Sequence, residues 1–444
     1  MIQRFFASIL LLFAVNAVAQ DPTPRMQQVI QSYVASKSFM GSVLVAKDGK
    51  LLINQGYGDA DLEWSVPNAP DTKFRLGSLT KQFTAASILL LEERGKLKVE
   101  DPVSKYLPDA PAAWEKITIY NLLTHTSGIP NFTSFPDYRT TEWKDTTPTE
   151  LVARFRDKPL EFEPGSKFNY SNSGYILLGF LIEKISGQTY GEFLQQNIFT
   201  PLGMADSGID NNAVILPKRA QGYSPSPKGI QHAGYISMTI PFSAGAIYST
   251  TDDLLKWEQG LFGGKVISEA SLKKMTTPFK DGYAFGLAIG DSGGHKMISH
   301  AGGIEGFNTS LHYYPDDKLT VIVLANLNGD TGAIANNLGK LALGQPVILA
   351  SERKEVSISP AVLADYAGTY QMAPTLDNVI TVEDGHLMTK LGNQPKVQLY
   401  AESDSKFFLK VVDAEIEFFR DPTTHAVTHL TIYQGGGTHD GKKR

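Results

Sequence analysis

The 444-residue chain contains no cysteine. That absence removes disulfides, a thiol nucleophile, thiolate metal sites and a lipid-bearing cysteine at a leader cleavage point. The fold must then rest on its apolar core, and a hydrophobic content of 42% is enough for a large one. An excess of one charge is missing too: 41 Lys and Arg face 46 Asp and Glu, a formal net charge of −5 without long runs of either sign. Such a balance serves solubility and leaves no nucleic-acid-binding footprint. No apolar run after the first residues is long enough to span a bilayer. No internal repeat occurs, no low-complexity tract beyond Gly435-Gly436-Gly437, and no metal-ligand spacing, so neither metal nor cofactor is expected.

What is present begins with a leader. Arg4, the apolar run Phe5 to Val15 and Ala17-Val18-Ala19 read as a secretory signal over residues 1–19. The expected protein is periplasmic or secreted, with no membrane anchor after cleavage. Residues 20–345 form a first domain in which strands at both ends enclose a helical middle. Gly41 to Lys47 and Lys50 to Asn54 are strands joined at Asp48-Gly49, a strong hairpin signal. Strands return at Tyr283 to Ile289, His295 to His300, Phe307 to Tyr314 and Leu319 to Ala325, so the chain comes back to complete one sheet. Residues 346–359, charged and proline-bearing, read as a linker. From 360 to 444 seven short alternating strands suggest a small antiparallel, lipocalin-like barrel.

The chemistry is organised around Phe74 to Gly95. Leu79, Phe83, Ala86 and Leu90 recur at helical spacing, and Ile88, Leu89 and Leu91 make the middle apolar nearly all round, the pattern of a buried helix stopped at Gly95. Ser78 and Lys81 then share one face of its first turn, where unpaired N–H groups and the helix dipole favour a nucleophile. Spacing alone is not distinctive: Ser271, Ser351 and Ser403 also precede a lysine by three, on an amphipathic helix, in the linker and in a polar turn. By itself Ser78 also fits an N-cap serine with a surface lysine. Lys81 could act as a base if burial or another cation lowered its pKa by about three units, at about 4 kcal/mol, or could stay charged and lower that of a neighbouring phenol.

The single Tyr-x-Asn of the chain, Tyr170-Ser171-Asn172, supplies such a phenol and an amide able to bind lysine and a substrate carbonyl. It reads equally as a buried tyrosine and a helix-capping asparagine. Ser299 to Phe307 carries His300-Ala301-Gly302-Gly303 at the end of one strand and before the next. Its glycines allow close backbone approach and leave N–H groups for an oxyanion. Gly290-Asp291-Ser292-Gly293-Gly294 matches other serine-hydrolase nucleophile motifs, but it joins two strands with no helix after it and reads as a turn. His125 reads as structural.

Together, Ser78-x-x-Lys81, Tyr170-x-Asn172 and His300-Ala301-Gly302 resemble the signature of the serine β-lactamase and penicillin-binding protein superfamily. The likeness is to its class C β-lactamase-related branch, peptidase family S12 with related esterases and D-aminopeptidases. It runs from about Phe39 to Asn328 and includes Leu122 to Gly128, Pro201 to Met204 and Gly245 to Thr250. The resemblance implies an α+β fold, an antiparallel sheet flanked by helices with an all-helical subdomain, followed by the barrel. It also implies acyl transfer: Ser78 attacks a carbonyl, Lys81 and Tyr170 handle protons, Asn172 orients the substrate, and the N–H groups of Ser78 and Gly303 bind the oxyanion, with His300 and Gly302 beside them. True class C enzymes carry Lys-Thr-Gly where this chain has His300-Ala301-Gly302, so weaker recognition of an antibiotic carboxylate is expected. The implied substrate is a D-aminoacyl peptide, a peptidoglycan fragment, a small ester or, weakly, a β-lactam. The alternatives are a non-hydrolytic penicillin-binding or peptidoglycan-sensing module and a class C-type β-lactamase. The expected partner is a small-molecule or peptide substrate, with no nucleic acid; the sequence does not specify an oligomeric state.

Overall fold

All seven residues of strand Leu319–Ala325 are buried. A run that is apolar on both faces needs cover on both, and the alternation of strand side chains divides the work. Val321 and Val323, with Val43 and Val45 of strand Gly41–Lys47, pack in one core with Met26, Val29 and Ile30 of helix Thr23–Ala35 and Ile334 and Leu338 of helix Thr331–Ala342. Ile322, Leu324 and Leu44 face the other way, into a larger core with Leu79 and Phe83 and with Leu254 and Trp257 of helix Thr251–Phe262. The coordinates are a computed structural model that describes residues 21–411, 414–434 and 437–444. The leader expected at 1–19 lies outside them.

The sheet is antiparallel, with strand order 288–292, 295–304, 307–314, 319–325, 41–47 and 50–57. The first and last parts of the domain therefore meet in the middle of one sheet. Helix Thr80–Glu93 crosses it with every residue from Thr80 to Leu91 buried. Phe83 stacks on Trp257 at 4.0 Å, whose indole N–H donates to Gln82 Oε1 at 3.0 Å. Gly95, at φ 67, ends it. Beyond lies the helical middle, with Ile119–Leu123, Pro148–Arg156, Asn172–Ser186 and Tyr190–Leu194. Reciprocal capping boxes start three of these, at Thr118 with Asn121, Thr147 with Glu150 and Thr189 with Glu192.

Two strand expectations change. Tyr283 to Leu287 is not a strand: the strand is Ala288–Ser292, and Gly282 and Gly286 have φ of 70° and 68°. The apolar residues there are buried because they cover the serine-bearing helix. A Cβ at Gly286 would lie 2.7 Å from the Lys81 carbonyl oxygen. Strand His295–Ile304 runs past His300 and contains both glycines of the third motif. Gly293-Gly294 make the hairpin turn before it, while Gly290 to Ser292, expected in that turn, belong to strand Ala288–Ser292.

The second domain is a closed antiparallel barrel with strand order 368–373, 376–383, 386–391, 397–401, 406–408, 414–420, 427–434 and 437–443. Eight strands close it, one more than the alternation predicts. The extra strand, Gly437–Lys443, pairs with both 427–434 and 368–373, yet carries no apolar residue, so no hydrophobic period reveals it.

Candidate active site

Ser78 sits one step ahead of the helix, in a tight 3-10 turn, Gly77–Leu79, that feeds Thr80–Glu93. Gly77 takes φ 55, a left-handed conformation that glycine adopts without strain. Strand His295–Ile304 passes directly over this turn. A Cβ at Gly302 would stand 1.9 Å from the Leu76 carbonyl oxygen, and one at Gly77 would stand 2.8 Å from the Gly303 nitrogen. Thr309 Oγ1, from the neighbouring strand, donates to that Leu76 oxygen at 2.7 Å. Backbone on backbone at this distance is possible only with glycine on both sides.

Lys81 Nζ lies 2.9 Å from each of Ser78 Oγ, Asn172 Oδ1 and the Ala244 carbonyl oxygen. It also lies 4.9 Å from the centre of the Tyr170 ring and 5.5 Å from that of Tyr175. Burial holds its pKa well below the usual lysine range. Asn172 Oδ1 and the Ala244 oxygen can only accept, so each takes an N–H of Lys81, and Ser78 Oγ is the third group within reach of Nζ. Burial pushes the Tyr170 phenol well above its usual value, against a hydrogen bond with Ser78 that pulls it down, so Tyr170 keeps its proton at neutral pH. Asn172 begins helix Asn172–Ser186, donates to Thr133 Oγ1 at 3.2 Å, and is held through its own N–H by Asn131 Oδ1 at 3.1 Å. Ser78, Lys81, Tyr170 and Asn172 are thus brought together from two separate stretches of chain.

Ser78, Asn172 and Gly303 lie on the wall of a cleft of about 240 Å³ that also takes in Gly77, Phe132, Tyr138, Arg139 and Glu305, while Lys81 and Tyr170 do not line it. His300 and Gly302 do not line it, a correction that follows from strand alternation. In this strand His300 and Gly302 are buried while Ala301 and Gly303 are exposed. The His300 Nδ1–H donates to the Ala301 carbonyl at 2.6 Å and its Nε2 accepts from the Tyr283 hydroxyl at 2.9 Å. Burial, with the nearby Lys81, lowers its pKa to about 4. The imidazole is therefore neutral and fully partnered, where a partly charged group facing substrate was expected. Gly302 contributes a missing side chain and Gly303 the exposed edge.

Sequence reasoning did not single out Ala244, whose carbonyl completes the lysine site from the short helix Phe242–Gly245. Pro241 before it and the small residues around it are the available signal. Nor did it find Arg139 and Glu305, which meet at the cleft rim at 2.7 Å with Glu142 beside them at 3.2 Å. Their partners are remote in sequence. Among the described residues no group of side chains could hold a metal ion.

A sequence model of the family described as Beta-lactamase matches residues 26–344, and a second, described as a domain of unknown function, matches 352–439. Penicillin-binding protein 4* of Bacillus subtilis is 30% identical over 427 residues, spanning 90% of this chain and 94% of that protein. The octameric penicillin-binding protein homologue from Pyrococcus abyssi superposes with a TM-score of 0.66 at 25% identity, covering 94% of this chain and 99% of its own. The D-amino acid amidase from Ochrobactrum anthropi SV3 superposes with a TM-score of 0.63 at 26% identity, covering 70% and 93%.

Proposed function

The chain belongs to the β-lactamase and penicillin-binding protein superfamily of serine hydrolases, and from that premise we propose that it is an exported hydrolase of small amides or esters in which neutral Lys81 is the acylation base. The observation that carries this is the place of Lys81 Nζ, 2.9 Å from Ser78 Oγ in a buried setting that holds its pKa well below the usual lysine range. Ser78 Oγ attacks the substrate carbonyl as its proton passes to Lys81. The negative oxygen falls to the N–H groups of Ser78 and Gly303. Tyr170, which holds its proton, gives it to the leaving amine or alkoxide and is reprotonated from Lys81. Water then repeats the sequence in reverse, releasing the acid and restoring the Ser78 hydroxyl.

The acyl group we favour is a D-aminoacyl residue or a small ester acid, in keeping with the amidase likeness and the limited cleft. Slow β-lactam turnover is part of the proposal. His300 carries no charge to meet an antibiotic carboxylate, and Arg139 on the cleft wall is already engaged by Glu305 and Glu142. The test is a panel of p-nitrophenyl esters, D-amino-acid anilides and a chromogenic cephalosporin. Wild type should turn over the first two faster than the third, and Ser78→Ala should lose several orders of magnitude on all. Ser78→Ala retaining wild-type turnover would refute the assignment.

A further inference from the structure

His125 lies away from the cleft, 1% exposed, in the left-handed conformation at φ 55. Strain of that kind in a buried non-glycine residue persists only where the surroundings require it. Its surroundings are the Tyr-x-Asn motif. The His125 carbonyl accepts the N–H of Asn169 at 2.9 Å, one residue before Tyr170. The His125 Nδ1 accepts the N–H of Ser171 at 3.1 Å, one residue after it. Between these two bonds the imidazole lies against the Tyr170 ring, with centroids 4.2 Å apart. Tyr175 and Tyr283 pack on the same imidazole at 5.0 Å and 4.7 Å.

We propose that His125 is the positioning residue for Tyr170, a clamp that holds the backbone on both sides of the proton donor and its ring from behind. The proposal rests on the serine-hydrolase reading above. An ordinary buried side chain could fill the same space, but only an acceptor at the Nδ1 position satisfies the Ser171 N–H, and only a residue that tolerates positive φ aims its carbonyl at Asn169. The bond from Ser171 also fixes the tautomer. Nδ1 must be bare and the proton must sit on Nε2, the reverse of His300, where the Ala301 carbonyl requires the proton on Nδ1. Substrate binding is untouched by the clamp; the chemical step depends on it.

Two substitutions separate positioning from bulk. His125→Phe keeps the ring and loses the acceptor. His125→Asn loses the ring but places Oδ1 near the Nδ1 position and accepts positive φ. Displacing a reacting group by about 1 Å costs about 100-fold, so His125→Phe should lower kcat by about that factor with KM within about threefold, and His125→Asn should recover to within about tenfold of wild type. Labelling of Ser78 by a fluorophosphonate runs alongside. No labelling of Ser78 in wild type overturns the hydrolase reading and the clamp together. Labelled wild type with equal kcat in His125→Phe, or equal losses in both variants, overturns the clamp alone. Should His125→Phe not fold, selective 15N-histidine spectra of the wild type decide: His125 as the Nε2–H tautomer supports the clamp, and an Nδ1–H or doubly protonated ring overturns it.

Discussion

Replacing Gly302 by alanine inserts one methyl group where strand His295–Ile304 crosses the serine turn. That methyl would sit 1.9 Å from the Leu76 oxygen and 2.4 Å from Thr309 Oγ1, distances well inside the 3.0 Å below which non-bonded Cβ contacts essentially never occur. The Leu76 oxygen is backbone one residue before Gly77 and cannot swing aside, so strand and turn must separate by roughly 1 Å. Overpacking of this kind costs about 1–3 kcal/mol. The same separation withdraws the Gly303 edge from Ser78, and loss of one oxyanion donor costs about 10²–10³ in kcat. Gly303→Ala is the control, since its Cβ would meet only Asn308 Nδ2 at 3.4 Å and its φ is not left-handed. The assay is kcat/KM on a chromogenic ester with a thermal melt of each variant. Gly302→Ala should fall at least 100-fold and melt lower, while Gly303→Ala should melt with the wild type. Wild-type activity in Gly302→Ala would refute the account of how strand and nucleophile meet.

Lys81→Arg, permanently charged and without a lone pair, should lower ester acylation by about 10²–10⁴, measured as burst rate. Glu258 is buried with neither carboxylate oxygen partnered, and burial raises its pKa from 4.5 to about 8. The folded state therefore holds a proton that the unfolded state releases above pH 4.5. Stability should fall as pH rises from about 4.5 to about 8, by about 3–5 kcal/mol, and Glu258→Gln should flatten that slope in urea titrations at several pH values. A wild-type slope retained in the variant would remove Glu258 as its source. His312 shows the opposite sign: burial lowers its pKa from 6.5 to about 4, so stability should be lost as pH falls from about 6.5 to about 4, by about 3 kcal/mol. His312→Gln should keep more of its melting temperature at pH 4.5 than wild type does.

The serine helix was legible because twelve consecutive buried residues leave an apolar record, and the central strands because burial on both faces does the same. The three motifs were legible as residue types, but not all of their orientations. His300 and Gly302 read as substrate contacts until the register of the strand, one residue long in its consequences, turned both inward. Tyr283 to Leu287 reads as a strand because cover for a helix is as apolar as a sheet interior. The last barrel strand was hidden for the contrary reason, since Gly437–Lys443 closes the barrel through its backbone. His125 was assigned a structural part from sequence, and its two-sided hold on Tyr170 depends on a backbone conformation that residue types do not encode.

The central claim is that Ser78 carries the acyl group and that Lys81 takes its proton. Rapid-quench mass spectrometry of the intact protein during p-nitrophenyl ester turnover tests both at once, with peptide mapping of the adduct. The account predicts a single transient acyl mass on the peptide containing Ser78, absent in Ser78→Ala and formed far more slowly in Lys81→Arg. An adduct mapped to any other residue, or turnover in wild type with no adduct on Ser78, would contradict it.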